Sequence, residues 1–252
     1  MIRLTKVCKT YGDPSEGGAR AALSAVSFEI KKGEFFSVLG PSGCGKTTLI
    51  NIIAGFVKPE AGEVLFDGKP VRGPWRDRIV VFQEHNLFDW KTVLSNVAFG
   101  LKAKGMPAAE RGRTAREFIE LVHLSGFENV YPSSLSGGMK QRAALARAMA
   151  VDPGCILMDE PLGSLDSQMR EKLQLEIMAL WEKTKKTILM VTHDIEEAVF
   201  LSDRVALMSK APGRIKQIVP IDIPRPRDAS VKASAGFQAL KHELSEKIMA
   251  DS

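Results

Sequence analysis

The sequence predicts an α/β fold in which a mostly parallel sheet is covered on both faces by helices. Three observations carry this. Short apolar runs at Phe35 to Leu39, Cys155 to Met158, Thr187 to Val191 and Val205 to Met208 read as buried strands. Between two of these runs, Met169, Leu173, Ile177, Leu180 and Trp181 recur at the 3.6-residue period of an amphipathic helix. The middle third breaks the strand–helix alternation with helical spacing alone, which predicts an inserted helical subdomain.

Taken in order, Ile2, Leu4 and Val7 form a first strand. Val26, Phe28 and Ile30 alternate with polar residues as a second strand does, and Gly12 to Arg20 between them reads as a loop. Phe35 to Leu39 runs into a Gly-rich turn and then a helical stretch, Thr47 to Ala54. Glu63 to Phe66 and Ile79 to Phe82 are further strands, with Asp67-Gly68 as a turn signal. Helices are predicted over 93–103 and 113–124, separated by Gly105-Met106-Pro107, and from Ser136 to Ala150. From Pro220, three prolines with Arg225 and Arg227 predict an extended basic segment. An amphipathic helix follows, with Phe237, Leu240, Leu244 and Ile248 on one side.

The chain has 252 residues and a net charge of +5, which suits nucleic acid, an anionic membrane surface or a phosphate ligand equally. No secretory signal opens it and no run reaches the ~20 apolar residues of a membrane span, so a cytosolic or peripheral location is expected. Cys8, Cys44 and Cys155 are too few and too scattered for a disulfide framework or a zinc site.

Residues 40–47 read Gly40-Pro41-Ser42-Gly43-Cys44-Gly45-Lys46-Thr47, and Thr48 follows. This fills the phosphate-loop pattern between a predicted strand and a predicted helix, the context its mechanism needs. Glycines let the backbone N–H groups turn inward, and the helix start adds its positive dipole end. Lys46 can reach the β- and γ-phosphates of ATP, and the Thr47 hydroxyl can ligate Mg²⁺. Cys44 sits where a helix start lowers a thiol pKa, so alkylation there is expected to block ATP binding. Asp159 and Glu160 follow an apolar strand, at the edge where open α/β sheets bind ligands. Asp159 would hold Mg²⁺ through water, and Glu160 would polarise the attacking water.

Leu135-Ser136-Gly137-Gly138-Met139, followed by Lys140-Gln141-Arg142, gives a second anion-accepting helix start, with Ser136 as N-cap. One phosphate loop already serves one nucleotide, so a second such start matters only for a nucleotide held by another copy. With this motif the sequence resembles the ATP-binding-cassette (ABC) ATPases over nearly its whole length. Leu135 to Gln141 fits the signature motif. Tyr11 fits the aromatic that stacks on adenine, although a tyrosine alone is more often a packing residue. Gln83 fits the glutamine that senses γ-phosphate and metal. Ser164-Leu165-Asp166 fits the D-loop, and His193 the switch histidine.

The resemblance implies a P-loop NTPase (RecA-like) core with an N-terminal antiparallel β part and an inserted α-helical subdomain. Residues 1–90 and 148–252 would form the core and 91–147 the signature subdomain. It implies two copies packed head to tail, each ATP gripped by the phosphate loop of one and the signature motif of the other. Catalysis would fall to Glu160, His193, Lys46 and Gln83, and metal contact to Thr47, Gln83 and Asp159.

Only 90 positions separate Lys46 from Ser136, which leaves no room for the coiled coil of DNA-acting relatives. Arg76 to Gln83, Leu87 to Val93, Met208 to Ile215 and the segment near Pro224 resemble importers of the nitrate/sulfonate/taurine group. Asp89 stands where that group usually has proline. Two membrane permeases, an indirect solute-binding partner, no nucleic acid and a seat on the cytoplasmic face of a bacterial inner membrane are the implied setting. Leu87, Phe88 and Trp90 are expected to receive a permease helix. A nucleic-acid-linked ATPase is the rival expectation.

Overall fold

A computed structural model describes residues 1–12, 18–163 and 165–249. The expected loop after Gly12 and the Ser164 position of the D-loop therefore lie partly outside the described residues. Strands β1 (Ile2–Tyr11), β2 (Arg20–Ile30), β4 (Ala61–Phe66) and β5 (Lys69–Pro70) form an antiparallel sheet in the order β2-β1-β4-β5. Asp67 and Gly68 turn β4 into β5 with φ of 48° and 74°, the two positive values a tight hairpin needs.

The second sheet runs β10 (Ile215–Pro220), β9 (Arg204–Met208), β3 (Phe35–Leu39), β8 (Thr187–Thr192), β7 (Cys155–Asp159), β6 (Arg78–Val81). All its neighbours are parallel except β10, which runs antiparallel to β9. Every residue of β3, β7 and β8 is buried, as apolar runs covered on both faces must be. Alternation then divides the core in two. Phe35, Leu39, Ile156, Met158, Ile188 and Met190 face a core shared with the later helices. Phe36, Val38, Leu157, Leu189 and Val191 face the antiparallel sheet and α1 (Lys46–Ala54).

Helices α2 (Val93–Ala103), α3 (Ala108–Leu121) and α4 (Gly137–Ala150) pack on one another. Thr92 caps α2 by accepting the Ser95 N–H. The expected helix over 113–124 begins five residues earlier and ends three earlier. Pro107 and the helix formers after it start α3, Gly112 is tolerated inside it, and His123 at φ 55° lies beyond its end. Beyond α5 (Ser167–Thr184), the short helix α6 (Ile195–Leu201) and edge strand β10 are additions to the expected set. In α5, Leu173, Ile177, Leu180 and Trp181 are buried along one face, and Met169 packs against the same core.

The Pro–Arg segment is extended, but its arginines are anchors. Arg227 is buried and donates to the carbonyls of Val199, Phe200, Ser202, Ile221 and Ile223; burial pushes its pKa down to about 10. Arg225 pairs with Asp203 and lies over the Trp181 ring. Helix α7 (Ala235–Met249) buries Phe237 and Leu244, with Leu240 and Ile248 against the same core. No helix among the described residues is long and apolar enough to cross a membrane.

Candidate functional site

The phosphate loop leaves β3 and enters α1 through Gly45, whose φ of 102° only glycine adopts readily. Gly45 has a second constraint, since a β-carbon there would come 2.7 Å from the Ala22 carbonyl oxygen. Lys46 is buried and donates to the carbonyls of Gly40 at 2.8 Å and Pro41 at 3.0 Å. Its Nζ lies 3.3 Å from Glu160 Oε1, while Glu160 Oε2 lies 2.9 Å from His193 Nδ1. The carboxylate of Glu160 is therefore bracketed by the ends of α1 and β8. Glu160 holds this place with a left-handed φ of 45°.

A cavity of about 330 Å³ opens here, lined by Ser42, Gly43, Gly45, Lys46, Thr47, Thr48, Glu160 and Tyr11, together with Arg20, Ala22 and Ala211. Thr47 Oγ1 lies 3.3 Å from Asp159 Oδ1. Burial pushes the Asp159 pKa up, against the bond from Thr47. Two hard oxygens side by side at a phosphate loop suit Mg²⁺, which takes one or two protein ligands and fills the rest with phosphate and water. Among the described residues, no group of three or more His, Cys, Asp or Glu could cage a metal alone.

Cys44 corrects an expectation. Its thiol is buried, and burial raises its pKa despite neighbouring Lys46, so it is neither ionised nor accessible to an alkylating reagent. Its sulfur packs against Gly40, where a β-carbon would come 2.9 Å from Sγ.

Ser136, Gly137, Gly138, Asp166 and Gln83 do not line this cavity. Ser136 is exposed and caps α4 by accepting the Met139 N–H. Asp166 caps α5 by accepting the Met169 N–H at 2.9 Å. The two helix starts touch, for a β-carbon on Gly138 would meet Met169 Sδ at 2.5 Å and one on Gly137 would meet Leu165 Cδ2 at 3.5 Å. The Gln83 amide sits at the turn after Glu160, 3.5 Å from where a Gly163 β-carbon would stand.

Sequence reasoning missed several connecting residues. Arg170 donates to the Leu165 carbonyl and to Asp194, tying the start of α5 to the residue after His193. Its position, four residues after the Asp166 cap, was a readable signal. His85 bonds Gln141, and Arg147 donates to the carbonyls of His85 and Asn86, fastening the segment after Gln83 to α4. That segment ends in an aromatic cluster, with Phe88 between Trp90 and Phe99 and Arg147 over its ring. Trp90 is 74% exposed.

This fold and cavity define an ATP-binding P-loop NTPase. Comparison with known proteins narrows the class. A family model described as "ABC transporter" matches residues 23–163. An uncharacterized ABC transporter ATP-binding protein of Methanocaldococcus jannaschii is 55% identical over 225 residues, covering 89% of this chain and 82% of that one. A taurine import ATP-binding protein of Roseobacter denitrificans is 50% identical over 194 residues, 77% of this chain and 72% of the relative. An ATP-binding cassette solved as a dimer in a post-hydrolysis state with ADP and Pi is 37% identical, with a TM-score of 0.77 over 89% of this chain and all of that one. The chain belongs to the ABC transporter family and is one of its ATP-binding, ATP-hydrolysing subunits.

Proposed function

We propose that this chain energises a bacterial importer of a small sulfonate-, taurine- or nitrate-like solute, working as a head-to-tail pair beneath two membrane permeases. The observation that carries the shared site is the placement of Ser136. It is exposed at a capped helix start, yet it takes no part in the phosphate-loop cavity of its own chain. A helix start of that kind attracts phosphate, and a second copy is the natural owner of that phosphate. The relative solved as a dimer with ADP and Pi supports the pairing. The taurine import relative supports the cargo class and, with it, a seat on the cytoplasmic face of the inner membrane and an indirect solute-binding partner. Residues 91–147 act as the signature subdomain, and 1–90 with 148–252 as the nucleotide-binding core.

In this reading Tyr11 stacks on adenine, and the loop from Gly40 to Thr48 cradles the phosphates. Glu160 orients the attacking water, steadied by His193 at 2.9 Å. Lys46 stabilises charge on the transferred phosphoryl group. Mg²⁺ would be held by Thr47 and Asp159, with Gln83 reaching it, and would offset phosphate charge. Ser136, Gly137, Gly138 and Asp166 complete the partner's site. Differential affinity of ATP for the closed pair drives the cycle. The cluster of half-buried Phe88 with exposed Trp90 and Phe99 receives the permease. The test is Ser136→Arg: light scattering with ATP should show loss of the dimer while nucleotide binding to the monomer stays within a few fold. Dimerisation equal to wild type would reject the shared site.

A further inference from the structure

On the side of the molecule where β6 and β7 begin, the connection from β4 to β6 encloses a second cavity, of about 580 Å³. That size suits a small ligand. Buried Arg78, exposed Lys69 and Arg72, and Trp75 all line it. Arg78 is only 9% exposed; one Nη donates to the Gly73 carbonyl at 2.8 Å, while the buried Nε has no partner. None of these three cations has a carboxylate within ion-pair distance among the described residues, although Asp77 also lines the cavity. Asp77 and the Phe66 ring, 5.1 Å from the guanidinium, offset part of the cost of burying Arg78, and an external anion would be a further stabilising occupant. Trp75 is 59% exposed with Arg76 against its ring, an apolar surface beside the cations.

We propose that this cavity is a binding site for a phosphate ester carrying a flat or apolar group. The phosphate would meet the cations of Arg78, Lys69 and Arg72, and the organic part would lie on Trp75. The site is separate from the ATP cavity but joined to it by two elements. Its Gly73-Pro74 wall lies against Gly55 at the far end of α1, where a β-carbon would come 2.3 Å from Gly73, and α1 begins at Lys46. Arg78 opens β6, which pairs with β7 from Arg78↔Cys155 to Val81↔Met158 and so ends beside Asp159 and Gln83.

Phenyl phosphate is the probe, titrated by calorimetry into the full chain loaded with one equivalent of a non-hydrolysable ATP analogue, so that the phosphate loop is filled without excess nucleotide to compete at the second cavity. Saturable binding is expected. It should weaken at least tenfold in Lys69→Ala/Arg72→Ala, whose side chains are exposed and whose loss leaves the fold intact. Trp75→Ala should weaken phenyl phosphate but leave inorganic phosphate unchanged, and phenol should not bind. A second arm replaces the probe with phosphatidylglycerol vesicles in co-sedimentation. Retention that depends on Lys69 and Arg72 would assign the phosphate to a lipid headgroup; binding of phenyl phosphate alone would assign it to a free metabolite. Absence of both, or binding indifferent to the Lys69/Arg72 change, overturns the proposal. Because the readout is binding with the ATP cavity filled, failure here leaves the importer reading untouched.

Discussion

Replacing Glu197 by glutamine should flatten the pH dependence of stability between about pH 4.5 and 7. The carboxyl is buried behind the strand that carries His193, accepts the Thr192 hydroxyl at 2.8 Å, and titrates at about 7 instead of 4.5. Burial is the main cause. Asp194 adds to it, while the Thr192 bond, Arg170 and His193 oppose it. A carboxyl whose pKa is raised by folding is relieved of cost below its unfolded pKa and carries the full cost above its folded one. The gap from 4.5 to about 7, at about 1.4 kcal/mol per pH unit, comes to about 3 kcal/mol. Between pH 5 and 8 the same relation gives about 2–3 kcal/mol. Glutamine keeps an acceptor for Thr192 and does not titrate. Losing the attraction to Arg170, whose Nε lies 3.7 Å away, adds an offset that cannot cancel the trend across this window. Urea unfolding of both proteins at pH 5, 6, 7 and 8 measures it, and the stability difference should move by about 2–3 kcal/mol in favour of the variant. Curves that run parallel across this range would refute the buried-carboxyl reasoning.

Three further outcomes are expected. Glu160→Gln should lower phosphate release by about 10²–10⁴-fold while ATP affinity stays within a few fold; turnover near wild type would reject Glu160 as the base. Arg227→Leu leaves five carbonyls, four of them buried, without their donor and should cost at least about 3 kcal/mol, seen as a melting temperature lower by about 6–12 °C. In native protein at pH 8, iodoacetamide should label half-buried Cys8 and spare Cys44 and Cys155, which become reactive only after unfolding. Burial drives the Cys155 pKa up to about 12.

Features encoded over short stretches were legible in the sequence. The run Phe35 to Leu39 reads as a buried strand and Ser136 before two glycines as a helix N-cap, and both stand so in the fold. The phosphate loop and the Asp159–Glu160 pair were found for the same reason, since each motif needs only its neighbours. What escaped depends on distant partners. Arg225 and Arg227 look like a solvated basic stretch until Asp203 and the carbonyls from Val199 to Ile223 close around them. The Cys44 thiol obeys local helix-dipole logic until the core packed over it removes water. β10 ends in Pro220, an edge position that interrupts an alternating pattern, and α6 is too short to show a period.

The contact between Gly138 and Met169 has a mechanical meaning. The Met169 side chain fills the space over Gly138, so the first turns of α4 and α5 are packed against each other through one flexible thioether. A rotation of the signature region toward another molecule would press through Met169 and Leu165 on the start of α5 and its Asp166 cap. Two separate stretches of sequence thus act as one jaw. A bulkier residue at position 138 would displace the Met169 side chain and loosen the fit between these two helix starts.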